Sequence, residues 1–413
     1  MADVRPFKGV RPVPELVEKV ASPPYDVMNS KEAREMAQGN PLSFLRVVKA
    51  EIDLDPDADV HGEAVYEKSS ENLQSLIATG AMVKDEAECY YVYEQTMNGH
   101  VQTGIMVGAS VDEYENDLIK KHEFTRRVKE DDRARHVDIL NANTGPVMLT
   151  YRASDAVDRI VAGVRKTDAT YDFVANDGVR HRMWVVSEPA TVEALRTAFG
   201  AIDALYVADG HHRSAAAFRV RNLRRDRNPM HTGNELYNHF LAVVFPDDQL
   251  QIMGYYRAVK DLNGMEEGEF LDKVRESFEV TPVDEPAPGA MKEFTMFLSN
   301  QWYRLVAREG TYPESDPVNS LDVAILQNNL LHPLLGIEDP RTDERIDFIG
   351  GIRGTKELEK RCHEDMKVAF ALFPTSVEQL MAIADAGSVM PPKSTWFEPK
   401  LRSGMVVRFL DEN

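Results

Sequence analysis

Ala204-Leu205-Tyr206-Val207-Ala208-Asp209-Gly210-His211-His212-Arg213-Ser214-Ala215-Ala216-Ala217-Phe218 reads as a buried strand, a turn and a helix. Leu205 to Ala208 are apolar without a break, as in a strand covered on both faces. Asp209-Gly210 is a turn pair. Three alanines and the apolar positions Phe218 and Val220 then signal a helix. Between the two elements an acid, two imidazoles and a guanidinium are packed into five residues. A strand-to-helix corner leaves the first backbone N–H groups of the helix unpaired, and these attract anions, phosphate above all. Gly210 lets a ligand approach the backbone closely. His211, His212 and Arg213 add donors around the same point. As plain structure, Asp209 would cap the helix and the histidines would lie on the surface. Four polar groups at a strand end serve no packing purpose, however, so the segment is read as a phosphate cradle with titratable groups beside it.

A second polar segment lies between apolar elements. Ile119-Lys120-Lys121-His122-Glu123-Phe124-Thr125-Arg126-Arg127 leads through Lys129, Asp131, Asp132, Arg133, His136 and Asp138 to Asn141-Ala142-Asn143-Thr144-Gly145-Pro146 and a strand, Val147 to Tyr151. As plain structure, residues 126–138 would be an exposed charged helix, and Arg126, Arg127 and Glu130 are read that way. Glu123 stands apart, because a glutamate tuned by burial and neighbours can take a proton from an alcohol. Asp26 and Asp132 are the other candidates for that role. Thr125 and Asn143 are candidate contacts to substrate or phosphate. Asp347-Phe348-Ile349-Gly350-Gly351-Ile352-Arg353-Gly354-Thr355 is a glycine-rich corner lacking the Gly-Lys-Ser/Thr of a P-loop. Arg353 there, and Lys393 in the proline-held loop Met390-Pro391-Pro392-Lys393-Ser394-Thr395, offer charge for phosphate.

Ala208-Asp209-Gly210-His211-His212-Arg213 resembles the signature of the domain-of-unknown-function 1015 family, whose members often carry a ParB-like label. The likeness runs along nearly the whole chain, through Arg5-Pro6-Phe7-Lys8-Gly9, Pro24-Tyr25-Asp26, Phe245-Pro246-Asp247-Asp248 and the loop from Met390 to Thr395. The motif is also similar to the phosphate-binding corner of the sulfiredoxin/ParB-like fold, whose free-serine kinases carry Asp-Gly-His-His-Arg. His122-Glu123-Phe124-Thr125 resembles the His-Glu-x-Thr segment of those kinases, in which the glutamate is the catalytic base. The resemblance implies phosphoryl transfer from a nucleotide, ATP or ADP, to a small hydroxyl substrate, with free L-serine giving O-phosphoserine. It implies that Asp209, Gly210, His211, His212 and Arg213 hold the phosphates, with His211 and His212 near the transferred group. Glu123, beside His122, would accept the hydroxyl proton. Mg2+ is expected because nucleotide phosphates bring it, and its ligands are unknown. Two other readings stay open: a ParB-like nucleotide-binding regulatory module without small-molecule turnover, and a phosphohydrolase or nuclease using the histidines. Against a metallohydrolase, no spaced His/Asp ligand set accompanies them.

The 413 residues carry 68 acids against 48 bases, a net charge of -20. Such a surface repels a nucleic-acid backbone, and no nucleic-acid partner is expected. The one basic run, Arg219 to Arg227, reads as a solvated helix face because no second basic stripe supports it. No apolar run reaches the roughly 18 residues of a membrane span, and the start has no apolar signal core. Only Cys89 and Cys362 occur, so a disulfide framework is excluded and a reducing cytoplasm fits.

The chain is long enough for two lobes. The expected fold is α+β with mixed or mainly antiparallel sheets. A region 1–260 would contain the sulfiredoxin/ParB-like corner, and 261–413 would form an accessory α+β lobe. Asn98-Gly99 between apolar runs predicts a type I′ hairpin. Ser43 to Val48 reads as a strand, 62–79 and 322–335 as helices, and 281–289 as a surface loop.

Overall fold

Asn98 and Gly99 both take positive φ, 51° and 86°, as the central pair of a type I′ turn requires. They join strands Tyr90–Met97 and His100–Ser110, with Met97 opposite His100. This hairpin lies inside a nine-stranded mixed sheet. Across the sheet run Ile119–Lys120, Leu205–Asp209, Val147–Tyr151, His239–Pro246, His100–Ser110, Tyr90–Met97, Arg180–Val186 and Tyr171–Val174, with Val4–Arg5 paired to His100–Ser110. Two pairings are parallel, Leu205–Asp209 with Ile119–Lys120 and His239–Pro246 with Val147–Tyr151. The rest are antiparallel. His239–Pro246 is buried at every position, which is why it reads as a continuous apolar run rather than an alternating one. Its core partners include Val107, Leu149, Val207 and Phe199.

The computed structural model describes residues 2–411. The chain divides into two units, one made of 1–250 with 399–413 and the other of 251–398. The expected boundary at 260 and the assignment of the whole C-terminal segment to the second lobe are therefore corrected. The physical reason is that the last strand closes the first unit. Arg408–Phe409 pairs with Ala142–Asn143, and Val407 and Ser403 bridge Val10 and Ser22. Buried Arg408 donates to the carbonyls of His239 (2.6 Å) and Leu236 (2.7 Å). The second unit is built on six antiparallel strands, in the order Phe278–Val283, Gln301–Ala307, Glu293–Leu298, Val368–Leu372, Tyr255–Val259 and Ile346–Gly350.

Three local expectations change. Ser43 to Val48 is not a strand, since Leu45–Val48 is a helical turn. Phe44, Leu45, Val47 and Val48 are all buried in one cluster against helix Glu63–Ala78, and Arg46, the one charged position between them, is too little to reveal a period. The helix expected over 322–335 is α-helical only for Asp322–Leu326 and continues as a π turn, Gln327–Leu331. The loop expected from 281 begins after strand Phe278–Val283. Among the described residues no helix is long and apolar enough to cross a membrane.

Candidate functional site

Strand Leu205–Asp209 buries Leu205 and Val207 and ends on a bulge, where Val207 faces Leu149 but Asp209 faces Met148. A bulge of this kind bends the strand end and re-aims its side chains. Gly210 then takes φ 97° and opens the helix His211–Arg227 without any side-chain cap. A Cβ at Gly210 would sit 3.4 Å from Val147 Cα. The Gly210 carbonyl accepts from the amides of Arg213 (2.9 Å) and Ser214 (3.0 Å). The amides of His211 and His212 precede these first intrahelical donors, so they are orphan donors of the helix start.

The side chains around the two amides come from four separate segments. His211 is buried, and its Nδ1 lies 3.5 Å from Oε2 of Glu123. Its ring meets that of buried His122 edge-on, with centroids 4.4 Å apart. The Nε2 of His211 has no hydrogen-bond partner among the described residues. His212 Nε2 accepts from the Arg126 amide at 3.1 Å, which places the ring proton on Nδ1. Arg213 donates to the Pro146 carbonyl and, at 3.4 Å, to Asp26. Asp209 receives Lys400 Nζ at 2.9 Å. Tyr25 carries two guanidinium groups near its ring, Arg133 at 4.1 Å and Arg213 at 6.0 Å.

These contacts set the charges. Burial pushes the His211 imidazole down to about 4, against the opposing pull of Asp209. Burial likewise lowers His212, and burial together with His211 lowers His122 further still. All three imidazoles are therefore neutral at pH 7. Burial alone would raise the Asp209 carboxyl, but Lys400 and Arg213 outweigh it and hold the group below the usual carboxylate range. The positive charge at the corner thus rests on Arg213 and Lys400, and the imidazoles contribute donors and acceptors.

Of the residues singled out in the sequence, His122, Glu123 and 209–213 meet at this corner. Asp26, another candidate for the proton acceptor, and Tyr25 join them through Arg213. Asp132 is engaged by Arg133, by the Tyr66 hydroxyl (2.7 Å) and by His61 (3.0 Å). Thr125 donates its hydroxyl to Glu130. Asn143 Oδ1 accepts from the Leu241 amide at 3.1 Å, so its oxygen serves the sheet. Arg353 and Lys393 belong to the second unit. Arg353 ends the exposed turn Gly351–Arg353, and Lys393, with φ 59°, holds its Nζ 5.6 Å from the Tyr255 ring. Lys400 was not anticipated. It stands 191 residues from Asp209, and the one available signal was that an acid in a phosphate cradle needs a counter-cation.

A cavity of about 630 Å³ opens beside the corner, bordered by His212, Asp26 and Tyr25 and by the Lys49–Glu51 and Asp132–Arg133 ion pairs. The basic run of the following helix is not a solvated face. Arg219 pairs with Glu130 and Asp131, Arg221 with Asp112 and Glu115, and Arg224 with Asp138 and Asp411. Among the described residues no group of three or more His, Cys, Asp or Glu side chains could hold a metal ion.

An α+β fold with an uncapped, cation-flanked helix start at the end of a bulged strand one place in from the sheet edge defines the class of this molecule. More particularly, the chain belongs to the family described as "Protein of unknown function (DUF1015)", whose model matches residues 4–324. No curated protein matches it in sequence. Among solved structures it is similar to a mutant free serine kinase in complex with AMP, at 13% identity and a TM-score of 0.36, covering 71% of this chain and 87% of that one. A conserved hypothetical protein from Pyrococcus furiosus aligns at 13% identity and a TM-score of 0.34, over 73% of this chain and 93% of that one. SbnI with a C-terminal truncation, from Staphylococcus aureus, aligns at 12% identity and a TM-score of 0.33, over 71% and 82%.

Proposed function

We propose that the protein is a nucleotide-dependent phosphotransferase acting on a small hydroxyl substrate, with free L-serine as acceptor and O-phosphoserine as product. The structural likenesses are too loose to bear on this, and the reading rests on the corner's own chemistry and on its sequence motif. The observation that carries it is the Glu123 carboxylate 3.5 Å from His211 Nδ1, a proton acceptor set beside two orphan helix amides. Phosphoryl transfer needs positioning, charge neutralisation and a group that orients the nucleophile. In this reading the amides of His211 and His212 and the Arg213 guanidinium hold the donor phosphates. The substrate hydroxyl oxygen attacks the terminal phosphorus, its proton passes to Glu123, and the bond from that phosphorus to the nucleotide oxygen breaks. His211 and His212, neutral, hydrogen-bond the transferred group without adding charge. Lys400 keeps Asp209 paired, so the carboxylate does not repel the phosphates.

A magnesium ion arriving with the nucleotide would find no cage of three or more His, Cys, Asp or Glu side chains among the described residues. It would be held chiefly by phosphate and water, as this ion often is. The sulfiredoxin/ParB-like relationship and a cytoplasmic location belong to the same proposal, the latter supported by two free thiols, Cys89 and Cys362. The test is a panel of ATP, ADP and pyrophosphate against hydroxyl-bearing amino acids, read by mass spectrometry. A mass gain of one phosphoryl group on serine is expected. Nucleotide binding without turnover of any acceptor would favour a regulatory module, and release of inorganic phosphate alone would favour a hydrolase.

A further inference from the structure

We infer that the cavity beside the corner takes the nucleoside of the phosphate donor, an inference that rests on the phosphate-cradle reading above. The first ground is charge. Five cations line the cavity, Lys49, Arg126, Arg127, Lys129 and Arg133, against three carboxylates, Asp26, Glu51 and Asp132. The lining is net positive in a chain whose net charge is -20, so the cavity suits an anion. The second ground is the apolar part of the lining. Val47, Val48, Ala50, Val60, Val65 and Val128 give it an apolar side, and Val60 and Val128 are left 45% and 74% exposed. Apolar side chains grouped along a groove mark ligand sites, and a flat, weakly polar ring system would cover these. The third ground is size. A cavity of about 630 Å³ is of the dimensions that bury most of a nucleotide-sized ligand, and is several times what a free amino acid of serine's size fills. His212 borders it and is the second residue of the helix whose orphan amides face the phosphates in this reading. A nucleoside in the cavity would therefore lead its phosphate chain to the corner, with the basic residues 126, 127 and 129 along the way.

The test is calorimetric binding of ADP and of pyrophosphate to the full chain. Val65→Trp enlarges a buried lining residue and so takes up cavity space. It is expected to weaken ADP binding by about tenfold or more while leaving pyrophosphate within about twofold. Arg127→Glu changes an exposed side chain that the fold does not need. It should weaken ADP several-fold and lessen the salt dependence of that binding, and it decides the question if the tryptophan variant does not fold. If both variants bind ADP as the wild type does, the cavity assignment is overturned while the corner stands. If the wild type binds neither ADP nor pyrophosphate, the phosphate-cradle reading itself falls.

Discussion

The guanidinium of Arg213 is the side-chain charge on which the phosphate reading of the corner depends. It is oriented by the Pro146 carbonyl and Asp26 and keeps its charge because Asp26 and Asp209 outweigh the burial that would lower it. Arg213→Ala is expected to weaken nucleotide binding by about 1.5–3 kcal/mol, the range for a hydrogen bond to a charged group. Titration calorimetry measures this directly, and an unchanged affinity would remove Arg213 from the site. Glu123 is 40% exposed, so it is open to a substrate proton. Glu123→Gln keeps the shape and removes the base. Turnover should fall by about 10²-fold or more with nucleotide affinity preserved, since positioned general bases contribute about 10²–10⁴. Near-normal turnover would pass the role to another group.

At the scale of elements, the corner depends on one backbone conformation. Gly210 sits at φ 97°, where an L side chain is strained by about 1–2 kcal/mol. Gly210→Ala should lower the free energy of unfolding by about that amount in urea titrations and weaken anion binding as the two amides shift. A substitution neutral in both would mean that the turn is not set by this torsion. The strand, turn and helix of this corner were legible because each leaves a local mark: an apolar run, Asp-Gly, then alanines. The Asn98-Gly99 hairpin was legible for the same reason. The Leu45–Val48 turn was not, because Arg46 is its single partly exposed position and one residue marks no period. The pairing of the basic helix was hidden too, since the acids that neutralise Arg219, Arg221 and Arg224 come from other segments. Glu123 next to the corner was argued from chemistry across 86 residues, whereas Lys400 and the cavity depend on folding alone.

For the whole molecule, the return of the chain from 399 to the first unit brings Lys400 onto Asp209 at the corner and Arg408 onto the carbonyls of His239 and Leu236. Buried neutral imidazoles make the fold sensitive to acid. Burial takes His211 down to about 4, and His136 and His181 to about 3, while the unfolded chain holds them near the ordinary value of about 6.5. Between those values the unfolded state binds more protons. Stability therefore rises with pH in this window and is lost as pH falls below about 6.5. Each imidazole should cost up to about 2 kcal/mol at pH 5, and urea unfolding at pH 7 and pH 5 measures it. Equal stability at the two values would mean that these rings are not held neutral. Phosphorus NMR of the protein with ATP or ADP and L-serine follows the proposed group transfer itself. The predicted result is a growing O-phosphoserine resonance matched by loss of the donor's terminal phosphate. Nucleotide consumed only to inorganic phosphate, or not consumed at all, would contradict it.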